Sequence, residues 1–400
     1  MKIGYFNTVV PYKNPLTNEV LTNYEGCGGV ENVVYNLSIG MAEKGHEVHV
    51  FSSSMNRNES LETYGKIFFY RYKKSFQIGR SPVSFDLLYK PLKVANLDVV
   101  HAHLGNLPAP LTGYWYAKKW KKPFIISYHG EYSGDFGDPL RRLGVVAHKV
   151  YFANKLLSKA DVIIVSSPYN IEGSKILKKY SEKIKIIPNG INVEEFDSAY
   201  SKEKCRDILN VPQDKKVILF VGNLIHIKAP HILIGAMKFI TEKIPEAHLL
   251  VVGDGDIQKN LQEQSKQLGI EKDVTFAGAI NEIKRKVLYY TAADVFVLPS
   301  FSESFPIVLL EASASGLPMV VSNLEPLKAI VKEGYNGLFA KTGDKKDLAE
   351  KIIYLFENKE VMEKFGRNAK SNVKEFSWDR IIQETEQVYT DVIDNCKLSK

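Results

Sequence analysis

Two glutamates in an unusually apolar segment are the first candidates for chemistry. Glu303 and Glu311 lie in the stretch SFSESFPIVLLEASASG, residues 300–316. Ionised carboxylates are tolerated beside apolar side chains only when they are paired or hydrogen-bonded. Taken alone, the segment also fits an amphipathic helix with Glu311 as an ordinary surface residue. What the two carboxylates hold is therefore the question that the rest of the sequence must answer.

Three histidines form a second group. His101 and His103 stand two residues apart at the end of a predicted strand and therefore share a face, and His129 ends the next strand. A zinc site is the weaker interpretation, because no defined third ligand or cysteine lies nearby in the sequence. Histidines at strand ends are more often structural, or they position or deprotonate a substrate hydroxyl.

Glycines and a lysine suggest phosphate binding. Gly28 and Gly29 precede a helix expected to begin near Asn32, where paired glycines let backbone amides approach a phosphate; a flexible turn is the alternative. Glu31 stands where a dinucleotide fingerprint would need another glycine. Lys228 follows a predicted strand and is either a surface charge or a cation that neutralises a departing diphosphate.

An aspartate pair follows another strand. Asp254 and Asp256 flank Gly255 in VVGDGD, a spacing that could hold a divalent cation on a diphosphate. Aspartate and glycine also suit tight turns, because their side chains and backbones tolerate the required conformations without any ligand. The turn is the favoured interpretation.

Apolar runs alternate with helical patterns in two series, which predicts βαβ units and parallel sheets. The first series is IGYF, EVHVF, DVVHAH, FIIS and DVIIVS, and the second is VILFVG, AHLLVVG, DVTFAG, DVFVLP and PMVVS. A polar, charged linker between them indicates two doubly wound α/β domains. Ligands are expected at the carboxyl ends of such strands.

The composition limits the class of protein. The chain has 400 residues, of which 44% are hydrophobic and 25% charged, with no apolar run near the ~20 residues that a membrane span needs. We expect a cytoplasmic protein with reduced cysteines. The formal charge of +7 favours anionic partners, but the sequence has no nucleic-acid recognition motif.

Six motifs in order carry a specific resemblance. GGVE, DVVHAH, SYHGE, VGNLIHIK, VVGDGD and the paired glutamates together resemble a retaining glycosyltransferase of family 4 with the GT-B fold. The resemblance implies two Rossmann-like doubly wound parallel-sheet domains that face a central cleft. It assigns residues 1–195 to an acceptor-binding domain, 196–375 to a donor-binding domain, and 376–400 to a helix that crosses back to the first domain.

The resemblance also implies an activity. It predicts transfer of a hexosyl group from a UDP- or GDP-linked sugar to a hydroxyl of a glycan, glycolipid or small molecule, with retained anomeric configuration. The family needs no metal ion and no further cofactor. The implied catalytic residues are His129, Glu303 and Lys228. The implied donor-binding residues are Gly28, Gly29, Asn223, Lys228, Gly253, Glu303, Phe305, Pro306, Ile307 and Glu311, and the implied acceptor-binding residues are His101 and His103.

The family pattern explains the two glutamates. Glu303 would hold hydroxyls of the donor sugar, and Glu311 would accept hydrogen bonds from the ribose diol, since a carboxylate offers two oxygens to two neighbouring hydroxyls. Ser304 is expected to cap the helix and Pro306 to lie in its first turn.

The sequence departs from the family at two positions. Pro306 replaces the usual glycine and removes one amide donor. Asn223 replaces an arginine that binds the diphosphate together with the lysine, and an amide cannot supply that charge.

Two alternatives and one partner hypothesis remain open. The chain could be a catalytically weak sugar-nucleotide-binding protein, which Asn223 favours, or a GT-B sugar-nucleotide epimerase, which the GGVE loop and paired glutamates oppose. The stretches RYKKSF, residues 71–76, and YWYAKKWKK, residues 114–122, are either solvated faces or a contact with an anionic membrane carrying a lipid-linked acceptor.

Overall fold

The computed structural model describes residues 1–17, 21, 29–56, 58–78, 81–94, 96–105, 107–130, 152–280 and 282–398. The chain forms two compact units. One comprises Met1–Gly190 together with Trp378–Lys400, and the other comprises Ile191–Ser377. Each unit has a sheet of mainly parallel strands with helices packed against it, which is the architecture that the alternating pattern predicts.

The first unit contains an eight-stranded sheet and a small hairpin. Its strands are β1 (Lys2–Phe6), β2 (Glu47–Ser53), β3 (Ser60–Tyr64), β4 (Ile67–Tyr72), β5 (Phe76–Ile78), β6 (Ser81–Val83), β7 (Val99–Leu104), β8 (Phe124–Tyr128), β9 (Val162–Val165) and β10 (Ile184–Ile186). The sheet order is β10-β9-β8-β7-β1-β2-β4-β3, and only the β3–β4 pair is antiparallel. Strands β5 and β6 form the separate antiparallel hairpin.

The central strands of this sheet are buried on both faces. All six residues of β7 and all five of β8 are buried. Parallel strands covered by helices on both sides have this pattern, and they tolerate polar side chains only where these are hydrogen-bonded. The histidines of β7 therefore lie in the interior of the unit.

Helices of the first unit begin with α1, which starts three residues earlier than the sequence suggested. The helices are α1 (Gly29–Glu43), α2 (Asp86–Tyr89), α3 (Ala109–Trp120), α4 (Asn154–Lys159) and α5 (Pro168–Gly173). The apolar spacing of Val30, Val33, Val34 and Leu37 extends the helical pattern back past Asn32, and so explains the earlier start.

The second unit is built on a six-stranded, all-parallel sheet in the order β13-β12-β11-β14-β15-β16. Its strands are β11 (Lys216–Val221), β12 (Ala247–Val252), β13 (Val274–Gly278), β14 (Val295–Leu298), β15 (Met319–Ser322) and β16 (Gly337–Ala340). Its helices are α6 (Lys202–Leu209), α7 (Pro230–Lys243), α8 (Gln258–Gln267), α9 (Ile283–Ala292), α10 (Ile307–Ala314), α11 (Lys345–Glu357) and α12 (Lys359–Asn372).

The last helix, α13 (Trp378–Leu398), belongs to the first unit. It packs on α1 so closely that a Cβ atom on Gly40 would lie 1.9 Å from Cδ1 of Ile382. Trp378 also packs closely on Gly190, where a Cβ atom would lie 2.5 Å from Cδ2 of the indole ring. The sequence places a helix over about residues 378–394, and the structure continues it to Leu398. Among the described helices, none is long and apolar enough to cross a membrane.

Candidate functional site

Lys228 and Glu303, predicted from separate motifs, form an ion pair in the second unit. The Nζ atom of Lys228 lies 2.7 Å from each carboxylate oxygen of Glu303, and the Ser300 hydroxyl donates to Oε1 at 2.7 Å. The Glu303 side chain is only 5% exposed, whereas that of Lys228 is 26% exposed. The carboxylate is therefore held rigidly, and the ammonium keeps access to solvent.

The sheet order explains why these residues meet. Lys228 lies in a 3-10 turn after β11, and Glu303 lies in the loop after β14. Strands β11 and β14 are parallel neighbours, so their carboxyl ends lie at the same edge of the sheet. A backbone hydrogen bond from the Phe301 amide to the Ile227 carbonyl, 2.8 Å long, joins the two loops.

Glu311 is held by two side chains of α9. Lys286 Nζ lies 2.5 Å from Oε1, and the Tyr290 hydroxyl donates to Oε2 at 2.7 Å. Lys286 and Tyr290 are four residues apart and so share a helix face. Burial, reinforced by the Glu311 charge, raises the pKa of Tyr290 well above its usual value, so this hydroxyl stays a donor.

Glycines allow the loops after β11 and β12 to approach each other. Gly253 has a φ of +144°, and a Cβ atom there would lie 1.9 Å from the Gly222 carbonyl oxygen. At Gly255 the corresponding atom would lie 2.4 Å from the Leu224 carbonyl oxygen. The Gly255 amide donates to Oδ1 of Asp254 at 2.7 Å, and the Gln258 amide donates to the Gly255 carbonyl at 3.1 Å, the i,i+3 bond of a β-turn. Backbone packing thus accounts for Gly253, and its donor contact stays a prediction.

The start of α10 differs from the sequence expectation. The helix begins at Ile307, and Pro306 precedes it with an extended backbone at φ −76° and ψ 111°. Pro306, rather than Ser304, therefore occupies the cap position, and a proline side chain has no atom that accepts a hydrogen bond. Phe305 is buried, with its ring centroid 5.9 Å from that of Phe376. Donor contacts through the amides of Phe305 and Ile307 stay a prediction.

Asn223 lies at the surface of the loop that carries Lys228. The residue is exposed, and its carbonyl accepts a hydrogen bond from the Ile225 amide at 2.9 Å. His226 is also exposed, and its ring contacts that of His231 at a centroid distance of 5.5 Å. The loop thus has room for a longer side chain at position 223.

The three histidines meet in the first unit. His101 and His103 are fully buried, with ring centroids 4.6 Å apart, and Nδ1 of His103 lies 2.8 Å from Nε2 of the partly exposed His129. Burial lowers the pKa of His101 to about 3 and that of His129 to about 4, and it also lowers the pKa of His103 well below its usual value. All three rings are therefore neutral at pH 7.

Both ring nitrogens of His101 are bonded inside the protein. Nδ1 lies 2.6 Å from the hydroxyl of Tyr389 on α13, and Nε2 lies 2.8 Å from the Ser127 hydroxyl. The Tyr389 hydroxyl donates in turn to that of Tyr5 at 3.0 Å. Both rings are buried, His101 lines a pocket together with His129, and the acceptor contacts of His101 and His103 stay a prediction.

His129 lines a pocket of the first unit. Ser127, Ser166 and Asn189 supply polar walls of this pocket, and residues of α1 and α13 supply apolar ones. His129 therefore has the accessibility that its catalytic prediction requires. Gly29 is the first residue of α1, whereas Gly28 lies outside the described residues.

Four residues of this chemistry were missed from the sequence. Ser300 and the Lys286–Tyr290 pair contact the two glutamates, and Tyr389 contacts His101. The i,i+4 spacing of Lys286 and Tyr290 is a usable signal, because it places a cation and a hydroxyl on one helix face. Nothing in the local sequence connects Tyr389 with His101, which precedes it by 288 residues.

Family models match both units. A model described as glycosyltransferase family 4 matches residues 27–195, and one described as glycosyl transferases group 1 matches residues 201–372. The chain is 32% identical over 372 residues to an uncharacterized glycosyltransferase of Methanocaldococcus jannaschii, covering 90% of this chain and 94% of the relative.

Two further proteins are similar over almost their full lengths. An alpha-monoglucosyldiacylglycerol synthase of Acholeplasma laidlawii is 27% identical over 389 residues, covering 93% of this chain and 96% of the relative. The Anabaena protein HepE, solved in complex with UDP and glucose, has a TM-score of 0.75 at 19% identity, covering 98% of this chain and 100% of that chain.

Proposed function

Because this chain belongs to glycosyltransferase family 4 and has the GT-B fold, we propose that it is a retaining hexosyltransferase. Its donor is a UDP- or GDP-linked sugar, and its acceptor is a hydroxyl group. The second unit binds the donor, and His129 is a catalytic residue in this proposal. The solved HepE complex contains UDP and glucose, which supports a nucleotide-sugar donor here.

The observation that carries this proposal is the arrangement of Lys228, Glu303 and Ser300. An ammonium has three N–H donors. The Lys228 ammonium is partly exposed, so it has room to bind a diphosphate oxygen while it still holds Glu303. Ser300 and Lys228 fix the Glu303 carboxylate and occupy three of its about four acceptor sites, so that the remaining site, on Oε2, accepts a hydrogen bond from a sugar hydroxyl. Positioning of this kind lowers the barrier because the groups need no reorganisation during transfer.

Glu311 holds the nucleotide end of the donor in this proposal. Lys286 and Tyr290 each take one lone pair of its two oxygens, and a carboxylate has about four acceptor sites. Two sites remain for a ribose diol. The apolar side chains between Glu303 and Glu311 pack α10 on the sheet and so fix the separation of the two carboxylates.

No metal ion takes part in the proposed reaction. Negative charge that develops on the leaving diphosphate is met by Lys228 and by the amide dipoles at the start of α10. Transfer by the purified protein should therefore persist in excess EDTA. A loss of turnover on chelation, with recovery on adding Mg²⁺ or Mn²⁺, would contradict this part of the proposal.

A two-step experiment separates an enzyme from a binding protein. Thermal-shift measurements with UDP, GDP and their sugar conjugates identify the donor, since a ligand at 100 times its Kd stabilises the native state by about 2.7 kcal/mol. Release of free nucleoside diphosphate from that donor is then followed over time. We expect continuous release in the presence of acceptor. Tight binding with no release from any donor would favour the sugar-nucleotide-binding alternative that Asn223 suggests.

We also propose that the acceptor is presented at an anionic membrane, where the protein binds peripherally from the cytoplasm. An exposed patch of the first unit supports this, because it combines apolar and basic side chains. Its exposed apolar side chains lie on the β5–β6 hairpin, at α2 and on α3. They are Phe76 and Ile78 on the hairpin, Phe85 and Tyr89 at α2, and Trp115 and Trp120 on α3. The similarity to an alpha-monoglucosyldiacylglycerol synthase is consistent with a lipid acceptor.

Contacts join these elements into one surface. The ring centroids of Phe76 and Phe85 are 5.6 Å apart, and the Lys93 ammonium lies 5.9 Å from the ring centroid of Tyr89. Lys119 donates to the Leu92 carbonyl at 3.0 Å, which joins α3 to the turn after α2. Several lysines near an anionic surface contribute about 1 kcal/mol each.

The structure corrects the composition of the basic stretches. Arg71 is fully buried, and its guanidinium donates to Glu62 and to the carbonyls of Val10 and Pro11. Tyr72, Tyr116 and Ala117 are also buried. None of these four residues is available to a membrane, so the surface consists of the remaining members and the hairpin.

Vesicle co-sedimentation tests the membrane proposal. We expect binding to phosphatidylglycerol vesicles that weakens with salt, little binding to phosphatidylcholine, and at least a tenfold loss for Ile78→Ser with Phe85→Ser. Ile78 and Phe85 are 66% and 57% exposed, so the double variant should fold normally. The control is Tyr354→Ser in the second unit, also exposed, which should bind like the wild type. Equal binding by all three proteins would reject the patch.

A further inference from the structure

The rings of His103 and His129 lie edge to edge, and one nitrogen of each ring takes part in a hydrogen bond between them. Their planes differ by only 9°, and their centroids are 5.1 Å apart. The distance between Nδ1 of His103 and Nε2 of His129 is 2.8 Å. The centroid distance exceeds this by about one ring diameter, so the hydrogen bond runs in the plane of both rings. Nε2 of His129 is therefore occupied, and only Nδ1 is available to a bound substrate.

The proton in this bond lies on one of two atoms. If Nε2 of His129 donates, then the proton of the neutral His103 lies on its own Nε2. That atom is fully buried and has no hydrogen-bond partner among the described residues. If Nδ1 of His103 donates instead, the buried Nε2 is an unprotonated nitrogen. Unpaired buried N–H groups are rarer than unpaired buried acceptors, which favours the second arrangement.

The neighbouring ring of His101 also has its proton on Nδ1 and an unprotonated Nε2. The Tyr389 hydroxyl donates to Tyr5, so it accepts from Nδ1 of His101. Nε2 of His101 then accepts from the Ser127 hydroxyl. His101 thus carries its proton on Nδ1, and its ring lies against that of His103. Hydrogen bonds made by one ring nitrogen determine the protonation of the other.

We propose that His103 is a positioning residue that donates from Nδ1 to His129, so that His129 presents an Nδ1–H donor to the bound sugar. This deepens the proposed function and rests on it, because it assigns His129 the role of a hydrogen-bond donor and not of a base. His103 acts through His129 without touching the substrate. The low pKa values caused by burial are consistent with rings that stay neutral throughout turnover.

The tautomer of His129 is measurable without any substrate. Protein labelled with ¹⁵N-histidine gives separate ring-nitrogen signals for protonated and unprotonated atoms, with assignment by comparison with His129→Asn. We expect the wild-type His129 proton on Nδ1. A proton on Nε2 of His129 in the folded wild type would overturn the proposal, whatever the activity of the protein.

One pair of variants at His103 tests which of its ring nitrogens is hydrogen-bonded to His129. An asparagine amide overlies the position of histidine Nδ1, and a glutamine amide overlies that of Nε2. We therefore expect the His129 proton to stay on Nδ1 in His103→Asn. In His103→Gln, it should no longer be confined to Nδ1. His101→Asn is the control, and it should leave the His129 tautomer unchanged. The opposite order for the two His103 variants would contradict the assignment.

Kinetics distinguish a donor from a base at His129. Loss of one charge-stabilising donor lowers kcat about 100-fold or more, which we expect for His129→Ala. His129→Asn should recover at least tenfold of this loss in kcat, whereas His129→Gln should not. Equal activities of these two variants would refute the donor role. If no nucleotide sugar is turned over by the wild type, the proposed function fails, while the tautomer measurement still decides the role of His103.

Discussion

Replacement of Asn223 by arginine should tighten the binding of nucleoside diphosphate. In the ligand-free site the charge of Lys228 is matched by that of Glu303, so the two together offer a diphosphate no net positive charge. Asn223 adds none. Because position 223 is exposed, an arginine side chain there loses little hydration and can extend along the loop that carries Lys228. The Asn223→Arg variant therefore restores a cation where the family places one.

The expected gain follows from two opposing terms. A charge-assisted, bidentate hydrogen bond contributes about 1.5–3 kcal/mol, and fixing a long side chain costs up to about 2 kcal/mol. We expect a net gain on the order of 1 kcal/mol, or about a fivefold lower Kd. The gain should shrink as salt concentration rises.

Titration calorimetry with UDP and GDP measures this change. Asn223→Gln, which lengthens the side chain without charge, is the matched control and should bind like the wild type. The free nucleosides, which lack the diphosphate, should bind both proteins equally. Unchanged or weaker diphosphate binding by Asn223→Arg would mean that this loop is built around asparagine, and that the family geometry does not apply at this position.

Three further predictions concern the ion pair and the histidines. Glu303→Ala and Lys228→Ala should each lower transfer at least 100-fold while the protein stays folded by circular dichroism, and near-normal turnover in both would reject the site. Tyr389→Phe should lower the free energy of unfolding by about 1–3 kcal/mol in urea titrations, because it removes the partner of a buried nitrogen of His101; no change would reject that bond. Burial lowers the pKa of His101 to about 3 and of His129 to about 4, from 6.5, so the unfolded chain binds more protons below about pH 6.5. Stability should therefore fall as the pH drops from 6.5 towards 4, by up to about 1.4 kcal/mol per pH unit for each histidine, and His129→Asn should reduce this slope.

The fold was readable from the sequence because each central strand is a continuous apolar run. Strands β7 and β12 are buried along their whole lengths, and patterns of this kind are typical of parallel sheets. Strands β3, β4, β5, β6, β10 and β16 were not predicted; among them, the residues of β3 alternate in exposure and those of β5 are exposed throughout, so neither forms an apolar run. Local patterns identify what is buried on both faces more reliably than what lies at an edge.

The grouping of candidate residues in the second unit was predicted in part, because residues that follow neighbouring parallel strands meet at one edge of the sheet. Lys228 and Glu303 follow strands that the sequence identifies, and strand order brings them together. The partners of His101 could not be predicted, because Tyr389 reaches it only through the packing of α13 on the first unit. Likewise, the burial of Arg71 depends on carbonyls of Val10 and Pro11, some 60 residues away.

The anomeric configuration of the product distinguishes a retaining from an inverting hexosyltransferase. With the donor identified by thermal shift and an acceptor lipid in anionic vesicles, ¹H NMR follows the anomeric signal of the new glycoside from the first turnovers. We expect the same configuration as in the donor, with no product formed by Glu303→Ala or Lys228→Ala. A product of inverted configuration, or one formed at the wild-type rate by both variants, would contradict this expectation.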